Sequence, residues 1–116
     1  RRVLFRSDPY VALENWIRIC RFGGHIVLLV PDEDLYEQGV WPSTFNPDHK
    51  FSFTINKTNS WSPTSINVFD ILKPFTDKVR ILKVELLDNM FMYNQPRHDQ
   101  CRSFSESAIE IILQKL

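Results

Sequence analysis

Directly after a Gly-Gly pair the chain runs through Ile26, Val27, Leu28, Leu29 and Val30 with no polar residue interposed. A strand with one wet face alternates apolar and polar residues, whereas an unbroken apolar run is expected where both faces are covered. What precedes and follows the run narrows the fold further. Upstream, Leu13, Trp16, Ile17 and Cys20 recur at three- and four-residue spacing and make one apolar stripe of a helix. Asp8 supplies a capping carboxylate, Pro9 fits the first helical turn where no N–H is needed, and Gly23 and Gly24 close the helix. Downstream comes a polar, acidic loop from Asp32 to Gly39. Helix, tight turn, buried strand and loop at the carboxyl end of the strand together predict half of a crossover unit in a parallel α/β sheet, where ligands gather at that edge.

The remaining segments are shorter. Phe51 to Ile55 alternates and predicts a short strand with one wet face, and Ser62-Pro63 predicts the start of a second helix that ends by Pro74. Val79 to Leu87 predicts a longer strand whose apolar phase shifts between Ile81 and Leu82, the signature of a bulge or of burial on both faces. Met90 to Phe104 predicts a loop. The closing run from Ser107 to Lys115, with Ile109, Ile111 and Ile112, predicts a strand. Arg1 to Ser7 share no periodicity with the helix that follows; Arg2 to Ser7 resemble a translated sequencing adapter. Residues 1–7 are therefore expected to be a non-native or disordered leader, and 8–116 the domain.

Composition excludes several classes of partner. Lys and Arg number 14 and Asp and Glu number 14, so no charge excess favours nucleic acid or an anionic membrane. No apolar run approaches the ~20 residues that span a bilayer. The two cysteines, Cys20 and Cys101, form no Cys-x-x-Cys pair, and Cys20 lies on the apolar stripe; a reduced, cytoplasmic protein is expected. His25, His98, Asp99 and Cys101 match no closed zinc spacing, so no metal site is expected.

The helix pattern Asp-Pro-x-x-Ala-Leu-x-x-Trp from Asp8 to Trp16, the Gly-Gly turn, the strand to Pro31, the acidic loop to Gly39 and the run from Phe45 to Lys50 resemble the later half of class I S-adenosylmethionine-dependent methyltransferases. Phe22 stands where the similar bacterial enzymes carry proline before Gly-Gly, a departure that affects turn rigidity. The closing strand resembles the last strand of that fold, antiparallel between its neighbours. The resemblance implies an α/β chain forming the C-terminal half of a Rossmann-like, doubly wound sheet, mostly parallel with an antiparallel last strand. It implies S-adenosylmethionine as cofactor, bound mainly by an N-terminal half that maps onto nothing here, so no cofactor-binding residue is carried over. On that reading the chain is a truncated fragment, inactive alone, of an enzyme that methylates a small-molecule or glycan-like acceptor.

Methyl transfer from a sulfonium asks a protein to position the acceptor, strip its water and, for an oxygen or nitrogen acceptor, take its proton. Asp34, Tyr36, Asp48 and His49 are the candidate acceptor-binding residues, with His49 the candidate base because imidazole titrates near neutrality. Their competing roles are structural: Asp48 and His49 fixing the loop before Phe51, Tyr36 packing its ring with Trp41 and Phe45, and Asp32, Glu33 and Glu37 forming a solvated acidic face. Two other readings stand beside the enzyme: a non-catalytic interaction or accessory domain, and a fragment of another nucleotide-binding α/β enzyme. An unpaired edge on the strand from His25 to Pro31 would also favour aggregation or an oligomer.

Overall fold

The computed structural model describes residues 8–46, 50–100 and 105–116. Helix α1 (Pro9–Ile19) begins at Asp8, whose carboxylate accepts the Tyr10 N–H at 2.9 Å. Leu13 and Ile17 turn inward and are fully buried, while Glu14, Asn15 and Arg18 stay in solvent. Gly23, at φ +76°, makes the left-handed turn that leads into strand β1 (His25–Pro31). A single π-helical turn, Glu33–Glu37, follows β1. Two short strands come next, β2 (Ser52–Thr54) and β3 (Ser65–Asn67), then helix α2 (Val68–Leu72) with a 3-10 turn at Lys73–Phe75. Strands β4 (Val79–Leu87) and β5 (Ala108–Lys115) complete the order.

The main sheet has the order β1-β5-β4, and β5 runs antiparallel to both neighbours. The chain is therefore not the C-terminal half of a Rossmann-like, mostly parallel sheet. Parallel pairing among the described residues is confined to the small β2–β3 sheet and one bridge between Asp32 and Phe53. The reason lies in the connections. β4 and β5 pair as a hairpin, with Leu87 opposite Ala108 and Val79 opposite Lys115, and hairpin strands are antiparallel. β5 then lies against β1 from Pro31↔Ala108 to His25↔Gln114.

The apolar run of β1 also has a different cause from the one expected. Leu28 and Val30 enter the core with Ile109, Ile111 and Leu113 of β5, closed over by Leu13 and Ile17 of α1 and by Phe53, Val68, Ile71 and Leu72. Val27 and Leu29 point to the opposite face, where Val27 is 37% exposed, so helices do not cover both sides. That face carries Lys83 between Glu85 and Glu110, with nitrogen–oxygen distances of 2.8 and 2.7 Å. Exposed pairs of this kind add little stability, and their main effect is to keep the open face hydrated. Beyond the bridge at Asp32, β1 has no strand partner on its outer side among the described residues.

Three further elements differ from or refine the expectations. The segment after Ser62 forms β3 before α2, so the second helix starts six residues later, at Val68, capped by Asn67 through a 2.9 Å bond to the Phe69 N–H. β2 is buried throughout rather than wet on one face, because β1 and the π turn lie on it. The phase shift in β4 is a register break between Ile81 and Lys83 opposite Leu113 and Ile112. No helix among the described residues is long and apolar enough to cross a membrane.

The two faces of β5 give a sharp test. Ile111→Ala removes a side chain that is 2% exposed and should cost about 3 kcal/mol in urea unfolding. Ile112→Ala, on the half-open face, should cost about 1 kcal/mol. Equal losses at both positions would mean that both faces are packed.

Candidate functional site

β1 ends where Asp32 donates its backbone N–H to the Ser107 carbonyl at 3.2 Å, immediately before β5 begins. The Asp32 side chain then turns back as a cap: Oδ2 accepts the N–H groups of Asp34 and Leu35, both at 3.0 Å. Its other oxygen, Oδ1, carries no hydrogen bond from the described residues. The turn of Glu33–Glu37 closes on Gln38 at φ 54° and Gly39 at φ 86°. Gly39 adopts that conformation at little cost, but Gln38 does not. Gln38 is held there by a two-way amide bond, donating to the His98 carbonyl at 2.7 Å and accepting the His98 N–H at 3.3 Å.

Two loops grip the turn from opposite sides. From the loop after β4, the Arg97 guanidinium donates to the carbonyls of Glu37 at 2.9 Å and Gln38 at 3.3 Å and to the Thr44 hydroxyl. It also lies 4.4 Å over the Phe45 ring, which suits a planar, weakly hydrated cation. From the loop after β2, Lys57 Nζ sits 2.7 Å from an Asp34 oxygen and 3.9 Å from Glu33 Oε1. Trp61 Nε1 donates to Asp34 at 3.0 Å, and the Ser60 hydroxyl donates to Glu33. Ser43 donates to Glu37 at 2.6 Å.

The electrostatics follow from burial. Asp32, Glu33 and Glu37 are buried, which corrects the expectation of a solvated acidic face; only Asp34 of the four carboxylates is exposed. Burial pushes the Asp32 carboxyl up to about 6; the N–H groups of Leu35 and Asp34 oppose this, and the charges of Asp34 and Glu33 add to it. For Lys57, partial burial acts downward, yet the bond to Asp34 and the charges of Asp34, Glu33 and Asp32 hold it above its ordinary value. Tyr93, which donates to Asp88, is raised to about 12 mainly by that bond, with Asp32 among the charges acting on it. The turn therefore presents one carboxyl poised to exchange a proton near neutral pH, which is the property a general base requires.

Of the residues named from sequence, Asp34 lies on the outer side of the turn, engaged by Lys57 and Trp61. Tyr36 is buried, edge-on to Phe45 with ring centroids 6.3 Å apart. Asp48 and His49 lie outside the described residues. Asp32, Lys57, Ser60 and Arg97 were not singled out. Asp32 had a readable signal, since the first acidic residue after a strand and before a turn is a capping position; the other three are distant in sequence and had none.

S-adenosylmethionine does not fit the described glycines. Gly23 and Gly39 face open space, and a side chain at Gly24 would meet Arg21 and Cys20 of its own turn, so none forms a close backbone cradle for a ligand. Among the described residues no group of His, Cys, Asp and Glu is placed to hold a metal.

Asp32→Asn separates charge from capping. The raised carboxyl favours the native state below about pH 4, and that contribution is lost as pH rises through about 6, a difference of roughly 3 kcal/mol. The amide keeps accepting the two N–H bonds and carries no charge. The variant should therefore be more stable than the wild type at pH 7.5, with the gain shrinking toward pH 4 in urea titrations. A constant difference across that range would mean that Asp32 is not the titrating group. No family model matches the chain, and comparison with curated proteins and with solved structures finds no significant similarity.

Proposed function

We propose that this chain serves S-adenosylmethionine-dependent methyl transfer, supplying the side of the reaction that receives a small-molecule acceptor. The observation that carries the reading is the Asp32 carboxyl, fixed through one oxygen by two backbone N–H groups and pushed up to about 6. An acceptor hydroxyl or amine must lose a proton as it is methylated, and a carboxylate tuned toward neutrality takes that proton better than an ordinary one. Oδ1 is the oxygen that would receive it. Lys57 holds Asp34, whose charge is among those that raise Asp32. None of the described glycines forms a cradle for the cofactor, and on this reading the chain's part is the acceptor side. A reduced, cytoplasmic setting is the one in which its unpaired thiol at Cys20 is expected to persist.

A second reading, a non-catalytic accessory domain, is supported by the outer edge of β1, which pairs with no strand among the described residues beyond one bridge. An edge of that kind accepts an added strand from another chain, a second copy included.

The test is incorporation of a radiolabelled methyl group from S-adenosylmethionine into a pool of small acceptors by the longest product of the gene. Incorporation is expected, with a low-pH limb near 6. Asp32→Asn should lower kcat about a hundredfold or more with little change in KM. Titration of the 116-residue chain alone with the cofactor should give no saturable heat. Incorporation unaffected by Asp32→Asn would remove Asp32 from the reaction, and no incorporation into any acceptor would favour the accessory domain.

A further inference from the structure

Strand β4 is an outer strand of the main sheet, and among the described residues no strand lies on its far side. The other outer strand, β1, continues into the small sheet through the Asp32–Phe53 bridge. β4 has no such continuation. It runs nine residues without proline, and Arg80 to Lys83, Glu85 and Leu86 are all exposed. Alternate N–H and C=O groups along it point away from β5, the pattern that accepts an added strand. The side chains add an apolar demand. Ile81 and Leu86 stand opposite the fully buried Leu113 and Ile109 and so lie on the core side of the sheet, yet each is 36% exposed. At this margin the core face runs out past its cover.

Edge strands are commonly protected by a lysine or a bulge, and β4 has both, Lys83 and the register break between Ile81 and Lys83. Neither blocks the edge against a copy of itself. Glu85 follows Lys83 on the same face. When two β4 strands pair antiparallel about a two-fold axis, opposed residues share a face, so the axis passes through a residue rather than between residues. An axis at Val84 sets Lys83 opposite Glu85 of the second copy, twice. It also brings Arg80 toward Asp88 of the second copy. Within the protomer Arg80 has no ion-pair partner among the described residues, and Asp88 accepts only the Tyr93 hydroxyl. An axis at Lys83 would set lysine against lysine, and one at Glu85 glutamate against glutamate. One register is complementary and its neighbours are repulsive. The bulge falls to one side of the axis in each copy, where Ile81 and Leu82, the latter 46% exposed, meet Leu86 of the other.

We propose that two copies of this chain associate through β4, antiparallel about a two-fold axis at Val84, joining their three-stranded sheets into one. Such an interface uses the same patch on both copies and so closes at two. It stands independently of the methyl-transfer reading.

Sedimentation equilibrium of the full chain across the micromolar range tests it, and a species of twice the chain mass is expected. Lys83→Glu and Glu85→Lys, both at exposed positions, should each weaken the dimer about tenfold, and the double reversal should restore it, with far-UV circular dichroism unchanged in all three. In a chain carrying Cys20→Ser and Cys101→Ser, Val84→Cys should form an intermolecular disulfide under mild oxidation, because opposed residues on paired strands have Cα atoms within bridging distance. Arg80→Cys in the same background should not, since its two copies would lie about 27 Å apart. A single chain mass throughout the range, single reversals without effect, a double reversal as weak as the singles, or cross-linking at Arg80→Cys in place of Val84→Cys would each overturn the proposal.

Discussion

Strand β5 is the constraint on which the other elements depend. Its apolar side, Ile109, Ile111 and Leu113, forms the floor of the core, and its two edges pair with β1 and β4. Its ends matter as much as its middle. At the start, the Ser107 carbonyl takes the Asp32 N–H and so fixes the point at which β1 stops and the acidic turn begins. At the end, Lys115 exchanges backbone bonds with Gly23 and Gly24, and its ammonium reaches the carbonyls of Arg18 and Cys20 at the open end of α1. A cation there satisfies carbonyls that have no partner within the helix and offsets the negative end of its dipole. One strand thus sets the helix, the Gly-Gly turn and the mouth of the candidate site.

The acidic turn runs against stability. Placing Asp32, Glu33 and Glu37 out of water costs free energy that Lys57, Ser60, Ser43 and the backbone N–H groups offset only in part. A chain selected for stability alone would have neutral residues at these positions. The raised Asp32 carboxyl is the visible residue of that unrelieved cost. Local features that oppose folding while the rest of the fold is consistent concentrate where a protein acts. That argument gives Asp32 its place in the site independently of any resemblance.

Sequence pattern was most legible where a single local cause acts. The Asp8 cap, the α1 stripe, the glycine at the turn, the register break in β4 and the closing strand each follow from residues a few positions apart. Sheet direction was not legible in the same way. An apolar run such as Ile26 to Val30 records how much of a strand is covered, and a half-covered edge strand with Val27 and Leu29 on its open face reads the same as a buried parallel one. The second helix was misplaced because Ser62-Pro63 has the chemistry of a cap, yet β2 captures Ser65 to Asn67 as a strand first. At the site, Asp34 and Tyr36 were visible on the loop itself. Lys57, Ser60 and Arg97 reach it from chain segments 20 to 60 residues away, as in the 60-residue separation of Arg97 and Glu37, and no local pattern encodes such a meeting.

The same distances explain how the site is kept in shape. A single π turn following a strand has few internal bonds of its own, and its closing residue, Gln38, sits in a left-handed conformation that costs energy. The turn persists because two separate parts of the fold hold it. The β2–β3 unit presents Lys57, Ser60 and Trp61 to its outer acids, while the loop between β4 and β5 presents Arg97 and His98 to its last carbonyls and to Gln38. β2 is tied in turn to the end of β1 through the Asp32–Phe53 bridge, and the β4–β5 loop is tied to it through the hairpin that β5 completes. Each clamp is thus anchored in an element that also touches β1. A shift of the main sheet relative to the small one would disturb both clamps, and with them the turn whose Asp34 and Leu35 N–H groups hold the Asp32 carboxyl.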